Sequence, residues 1–113
     1  MSNMKTIVMS ILLMLAAGTA TAEDTHVYHV YGVGTESCGS WLEERRKAID
    51  YWHGTLEWTL GYVSAYGHFS GERLRHTDAQ AVVAWLDKYC AENPVMDIEN
   101  ASNALIQALQ KGT

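Results

Sequence analysis

Two cysteines, five histidines and thirteen carboxylates are the side chains of this 113-residue sequence most able to carry chemistry. Cys38 and Cys90 lie far apart, without the C-x-x-C spacing of a redox pair, and two thiols alone do not make a zinc site. His26 and His29, close to Glu23 and Asp24, could bind a transition metal in principle, but they form an incomplete ligand set, so neither a metal nor another cofactor is expected. His53 and His68 have no nucleophile beside them in a recognisable motif. Asp78, Asp87, Glu92, Asp97 and Glu99 fall mostly at expected helix starts or on polar faces, where capping and solvation account for them. The expectation is therefore no catalytic residues and no enzyme. What remains is aromatic: four tryptophans and six tyrosines are many for this length. Trp41, Trp52, Trp58, Tyr62, Tyr66 and Trp85 are the candidates for core packing or for a client or partner surface.

The elements that must position these residues begin after a leader. Lys5, the apolar run Ile7 to Ala17 and the small-x-small site Ala20-Thr-Ala22 read as a cleaved signal peptide over residues 1–22. Export to the periplasm is expected, with no membrane span left in the mature chain. In an exported chain two cysteines are expected to form one structural disulfide, free thiols or an intermolecular bond being the alternatives. The remaining 91 residues make one small domain that benefits from such a staple. They hold 13 acidic and 7 basic residues, a net charge of −6, without the basic cluster that nucleic-acid binding requires.

Residues 23–36 read as an N-terminal arm, in which His26-Val-Tyr-His-Val-Tyr31 alternates loosely like a strand without a partner strand. It lies across the helical domain or a partner, or forms a partly ordered tail. From Cys38 to Gly67, Cys38, Trp41/Leu42, Ile49, Trp52, Leu56, Leu60 and Val63 recur at helical spacing, with Gly54 as the expected bend. Ser37 or Ser40 is the expected cap, Ser40 forming a capping box with Glu43. Gly61 and Ala65, four apart, predict close approach of another helix rather than a ligand pocket. Gly67 to His76 reads as a loop, and Thr77 with Gln80 as the capping box of a helix over about 78–92. Asn93-Pro94 is expected to start the last helix, with Ile98, Ala101, Leu105, Ala108 and Leu109 as its buried stripe and Gly112 as its stop. The prediction is all-α: a helical domain over 37–111, a small bundle of about four helices stapled by one disulfide.

Three stretches resemble a known family. An exported leader, Glu36-Ser-Cys-Gly-Ser-Trp-Leu42, Glu57-Trp-Thr-Leu-Gly-Tyr62 and Lys88-Tyr-Cys-Ala-Glu-Asn-Pro94 occur in the order seen in the HdeA/HdeB family of periplasmic acid-stress chaperones. The resemblance covers most of residues 36–109, with Cys38 and Cys90 in the positions of that family's disulfide. It implies a helical homodimer near neutral pH that loosens in acid and binds unfolded periplasmic proteins. The arm and Trp58-Thr-Leu-Gly-Tyr62-Val-Ser-Ala-Tyr66 are also similar to Tai-type immunity proteins, which implies instead a periplasmic dimer that neutralises a specific type VI secretion toxin. A non-enzymatic structural role in the periplasm is the third expectation.

Overall fold

The computed structural model describes residues 27–47 and 50–111. The leader at 1–22, the beginning of the arm with His26, Ile49 of the helical stripe and the stop at Gly112 lie outside the described residues.

A short 3-10 turn, Gly32–Thr35, leads into four helices: α1 Cys38–Lys47, α2 Trp52–Ser70, α3 Ala79–Glu92 and α4 Ile98–Gln110. Cys38 and Cys90 are bonded within the chain, their Cα atoms 4.8 Å apart across 52 positions of sequence. The bond fixes the start of α1 to the end of α3, and a loop of that size restricts the unfolded chain by about 4 kcal/mol in the entropic account. The all-α, disulfide-stapled bundle is as expected.

Helical periodicity brings the buried side chains to one centre. Cys38 and Trp41 come from α1, Leu56 from α2, Val82, Val83, Leu86 and Cys90 from α3, and Ile98, Ala101, Leu105 and Leu109 from α4. One buried polar pair joins two helices: the Ser102 hydroxyl on α4 donates to Thr59 Oγ1 on α2 at 3.2 Å. The segment before α4 also grips the start of α1. Cys38 N–H donates to the Met96 carbonyl (2.7 Å), Gly39 N–H to Pro94 (3.1 Å), and Ile98 N–H to Glu36 (2.9 Å).

Several boundaries differ from the sequence prediction. The long amphipathic stretch is interrupted before Trp52, where His53 and Gly54 amides donate to the carbonyls of Asp50 and Tyr51 at 3.1 Å; Gly54 itself lies in the first turn of α2. α2 runs through Gly67 to Ser70, and Gly71, at φ 68°, ends it in the left-handed conformation a glycine adopts without a Cβ penalty. Neither predicted capping box forms. Ser37, one of the two caps expected for α1, takes that role, its Oγ accepting from the Ser40 amide at 3.1 Å; at α3 the residue after the expected Thr77 does so, Asp78 Oδ1 accepting from the Ala81 amide at 2.8 Å. Asn93 closes α3, its side-chain amide donating to the Tyr89 carbonyl at 3.0 Å, while Asp97 caps α4 through the Asn100 amide at 2.8 Å. Ala108 is only half-buried, and Ser102 and Ile106 join the α4 stripe instead.

Candidate functional site

The arm is seated on α2 through one tryptophan. Trp58 Nε1 donates to the Tyr31 carbonyl at 2.7 Å, and Gly34 is buried against the same indole. The Tyr62 ring, one helical turn after Trp58, stacks on it with centroids 5.0 Å apart and planes at 20°. Tyr62 is held by its own hydroxyl, which donates to Asn103 Oδ1 on α4 at 2.8 Å; burial pushes its phenol up. At the other end of the arm the Tyr28 hydroxyl donates to Glu99 on α4, and that carboxylate raises the phenol to about 12.

Between arm and helix lies an open groove of about 440 Å³, lined by Tyr28, His29, Val30 and Tyr31 on one side and Glu57, Trp58, Gly61 and Tyr62 on the other. The close helix approach expected at Gly61 and Ala65 is absent. Both residues are exposed, and a Cβ on Gly61 would meet nothing within 4 Å, so its missing side chain opens the groove. The walls are largely aromatic, Tyr31 being 80% and Tyr28 65% exposed. Glu57 is exposed and makes no ion pair or hydrogen bond among the described residues.

A second aromatic cluster is closed. Arg45 on α1 meets Asp87 on α3 in a two-pronged bridge, Nε to Oδ1 at 3.1 Å and Nη2 to Oδ2 at 3.0 Å. Its guanidinium lies 4.7 Å from the Trp52 ring centroid and 5.9 Å from that of Trp41. Trp41 Nε1 also donates to Asp87 Oδ1, at 2.9 Å. Asp87 raises the Arg45 pKa. On the same helix Glu44 buries Oε2 without a hydrogen-bond partner, and that burial, then the charge of Glu36, pushes its carboxyl up.

The six aromatic candidates are thus divided. Trp58 and Tyr62 wall the groove; Trp41 and Trp52 hold Arg45. Tyr66 is further along α2, where its hydroxyl donates to Glu72 at 3.0 Å and the Gln110 amide donates both to that hydroxyl and to Glu72. Trp85 stacks on Tyr89 along α3, centroids 5.1 Å apart, beside a smaller depression with Lys88 and Glu92. Sequence reasoning missed Tyr28, Tyr31 and Glu57 as groove residues, and Arg45 with Asp87 as a bridge. The aromatic pairs at i and i+4, Trp58–Tyr62 and Trp85–Tyr89, were the available signal.

No group of three or more His, Cys, Asp or Glu able to hold a metal ion occurs among the described residues, and no helix there is long and apolar enough to cross a membrane. No family model, curated protein or solved structure matches the chain.

Proposed function

We propose that the chain is an exported, acid-stress chaperone-like protein, folded near neutral pH and loosened in acid to hold unfolding periplasmic proteins. The observation that supports this reading is that several of the non-covalent joints end on carboxylates. Glu99 holds the arm through Tyr28, Asp87 ties α3 to α1 through Arg45, Glu72 joins the loop after α2 to Tyr66 and Gln110, and Asp78 and Asp97 cap α3 and α4. Protonation weakens each as an acceptor and removes its charge. Titrating the 13 acidic residues and five histidines carries the chain after residue 22 from −6 to about +12, so self-repulsion grows as the joints weaken. Acid leaves the Cys38–Cys90 bond intact, and a stapled, strongly positive chain can expose its apolar stripes while resisting self-association.

The test follows exposure of apolar surface with a fluorescent dye, and molecular mass by light scattering, from about pH 7 to about pH 2, together with aggregation of an acid-sensitive client at the acid end. Opening with protection of the client is expected. A chain that stays closed, or opens without protecting the client, removes the reading. Exposed Tyr51, Phe69 and Val95 offer further apolar surface, and a homodimer near neutral pH is part of the proposal.

A second reading is favoured by the aromatic groove, which is open in the closed fold and needs no acid to form. It is specific binding of one protein, such as a secreted toxin that the chain neutralises as an immunity protein. Calorimetric titration at neutral pH against the protein encoded by the adjacent gene tests it: tight binding is expected, and none refutes it.

A further inference from the structure

The groove combines aromatic walls with an unpaired carboxylate, and elsewhere the same chain shows what such a combination holds. In the Arg45 cluster a guanidinium lies 4.7 Å from one indole centroid and 5.9 Å from another, and both oxygens of Asp87 accept from it. The groove presents the same chemistry without the cation. Tyr31, Trp58 and Tyr62 supply ring surface, Glu57 supplies the charge, and Gly61 leaves the space. No lysine or arginine among the described residues pairs with Glu57.

We propose that this groove receives an arginine side chain presented by a protein partner. The inference rests on the second reading above, binding in the closed state, and names the chemistry of the partner. A space of about 440 Å³ accommodates a guanidinium with its methylene stem. An uncharged side chain there would crowd water from Glu57 and give the carboxylate nothing in return. An acidic one would meet like charge, both from Glu57 and from the net −6 of the exported chain. Arginine fits better than lysine because its planar, weakly hydrated head lies against ring faces while its fork of donors reaches a carboxylate. The walls are set in advance: Trp58 is tied to the Tyr31 carbonyl, Tyr62 to Asn103 and Tyr28 to Glu99, so little side-chain freedom is lost on binding.

The experiment titrates the disulfide-bonded protein near neutral pH with two blocked peptides, acetyl-Ala-Leu-Arg-Leu-Ala-amide and its counterpart with citrulline, which keeps arginine's shape but not its charge. Binding is followed at the Trp58 indole N–H and the Gly61 amide by NMR. The arginine peptide is expected to bind about tenfold tighter than the citrulline peptide, the sum of one exposed cation–π contact and one surface ion pair. Glu57→Gln should cut that preference to about twofold. Glu57 is exposed and outside the core, so the variant should fold; Gly61→Val, which fills the groove, should weaken both peptides. Equal affinity for the two peptides overturns the arginine assignment but leaves closed-state binding through an apolar groove standing. If neither peptide shifts Trp58 or Gly61, the inference falls and the closed-state reading loses its site.

Discussion

Gly34 lies so close to the indole of Trp58 that a Cβ built on it would stand 2.3 Å from Cζ2 and 2.4 Å from Cη2. That contact, with the hydrogen bond from Trp58 to the Tyr31 carbonyl, turns the arm from a tail into one wall of the groove. Any side chain at position 34 must displace the indole or lift the arm. Gly34→Ala is therefore expected to destabilise the protein by about 1–3 kcal/mol, as overpacking does, and to make residues near Tyr31 more sensitive to protease. Thermal unfolding and limited proteolysis check both effects. An alanine variant as stable and as resistant as the parent would mean that the arm is not seated on Trp58.

The disulfide is expected to carry a large share of the net stability, as in other small disulfide-bonded domains. Replacing Cys38 and Cys90 together by serine should cost about 2–5 kcal/mol, read from the urea midpoint, and peptide mapping without reduction should recover the two cysteines linked. Retention of full stability in the double variant would show that packing alone holds α1 to α3.

These two predictions differ in how far the sequence could have led to them. Cys38 and Cys90 each sit in an apolar stripe, and stripes are written in local spacing, so the bundle and its staple were legible. Caps were legible less evenly: Ser37 was among the expected caps, whereas Asp78 displaced its neighbour Thr77, because periodicity does not say which carboxylate or hydroxyl reaches the free amide. The groove was not legible. It depends on Gly34 meeting Trp58 across 24 positions and on nothing packing over Gly61, and neither is a local property. For the same reason Gly61 was expected under a neighbouring helix, since a glycine beside an alanine reads alike whether a backbone or open space lies opposite.

Asp87 serves Arg45 and Trp41 at once, so removing its charge should cost more than an ordinary surface ion pair. Asp87→Asn is expected to destabilise by about 1–3 kcal/mol, because it breaks the two-pronged bridge and weakens the acceptor for the Trp41 indole. Arg45→Lys should also destabilise, since an ammonium reproduces neither the fork nor the stacking over Trp52. A double-mutant cycle on the pair, followed by chemical unfolding, measures the coupling; additive effects would show that bridge and stacking act independently.

Among the carboxylates, Glu43 and Glu44 respond to acid in opposite directions. Hydrogen bonding to Arg46, then to Lys47, holds the Glu43 carboxyl down at about 2. Whatever it contributes is present above the usual glutamate range and lost as pH falls toward about 2, and its exposed position keeps that contribution small. Glu44 is different, because burial without a partner for Oε2 raises its carboxyl. A raised folded value means that the charged form is penalised in the fold: the penalty is complete above the raised value and vanishes below the ordinary value of about 4.3. Glu44→Gln should therefore raise the melting temperature near neutral pH, and the gain should shrink to nothing as pH falls through that window. Protonation of Glu44 therefore relieves the fold of a penalty as the pH falls. The glutamine variant should consequently lose more stability between neutral and acid pH than the parent does. Melting curves of the two proteins at several pH values decide the matter: an equal shift at every pH, or a lower melting temperature near neutrality, would mean that the Glu44 charge bears no penalty in the fold.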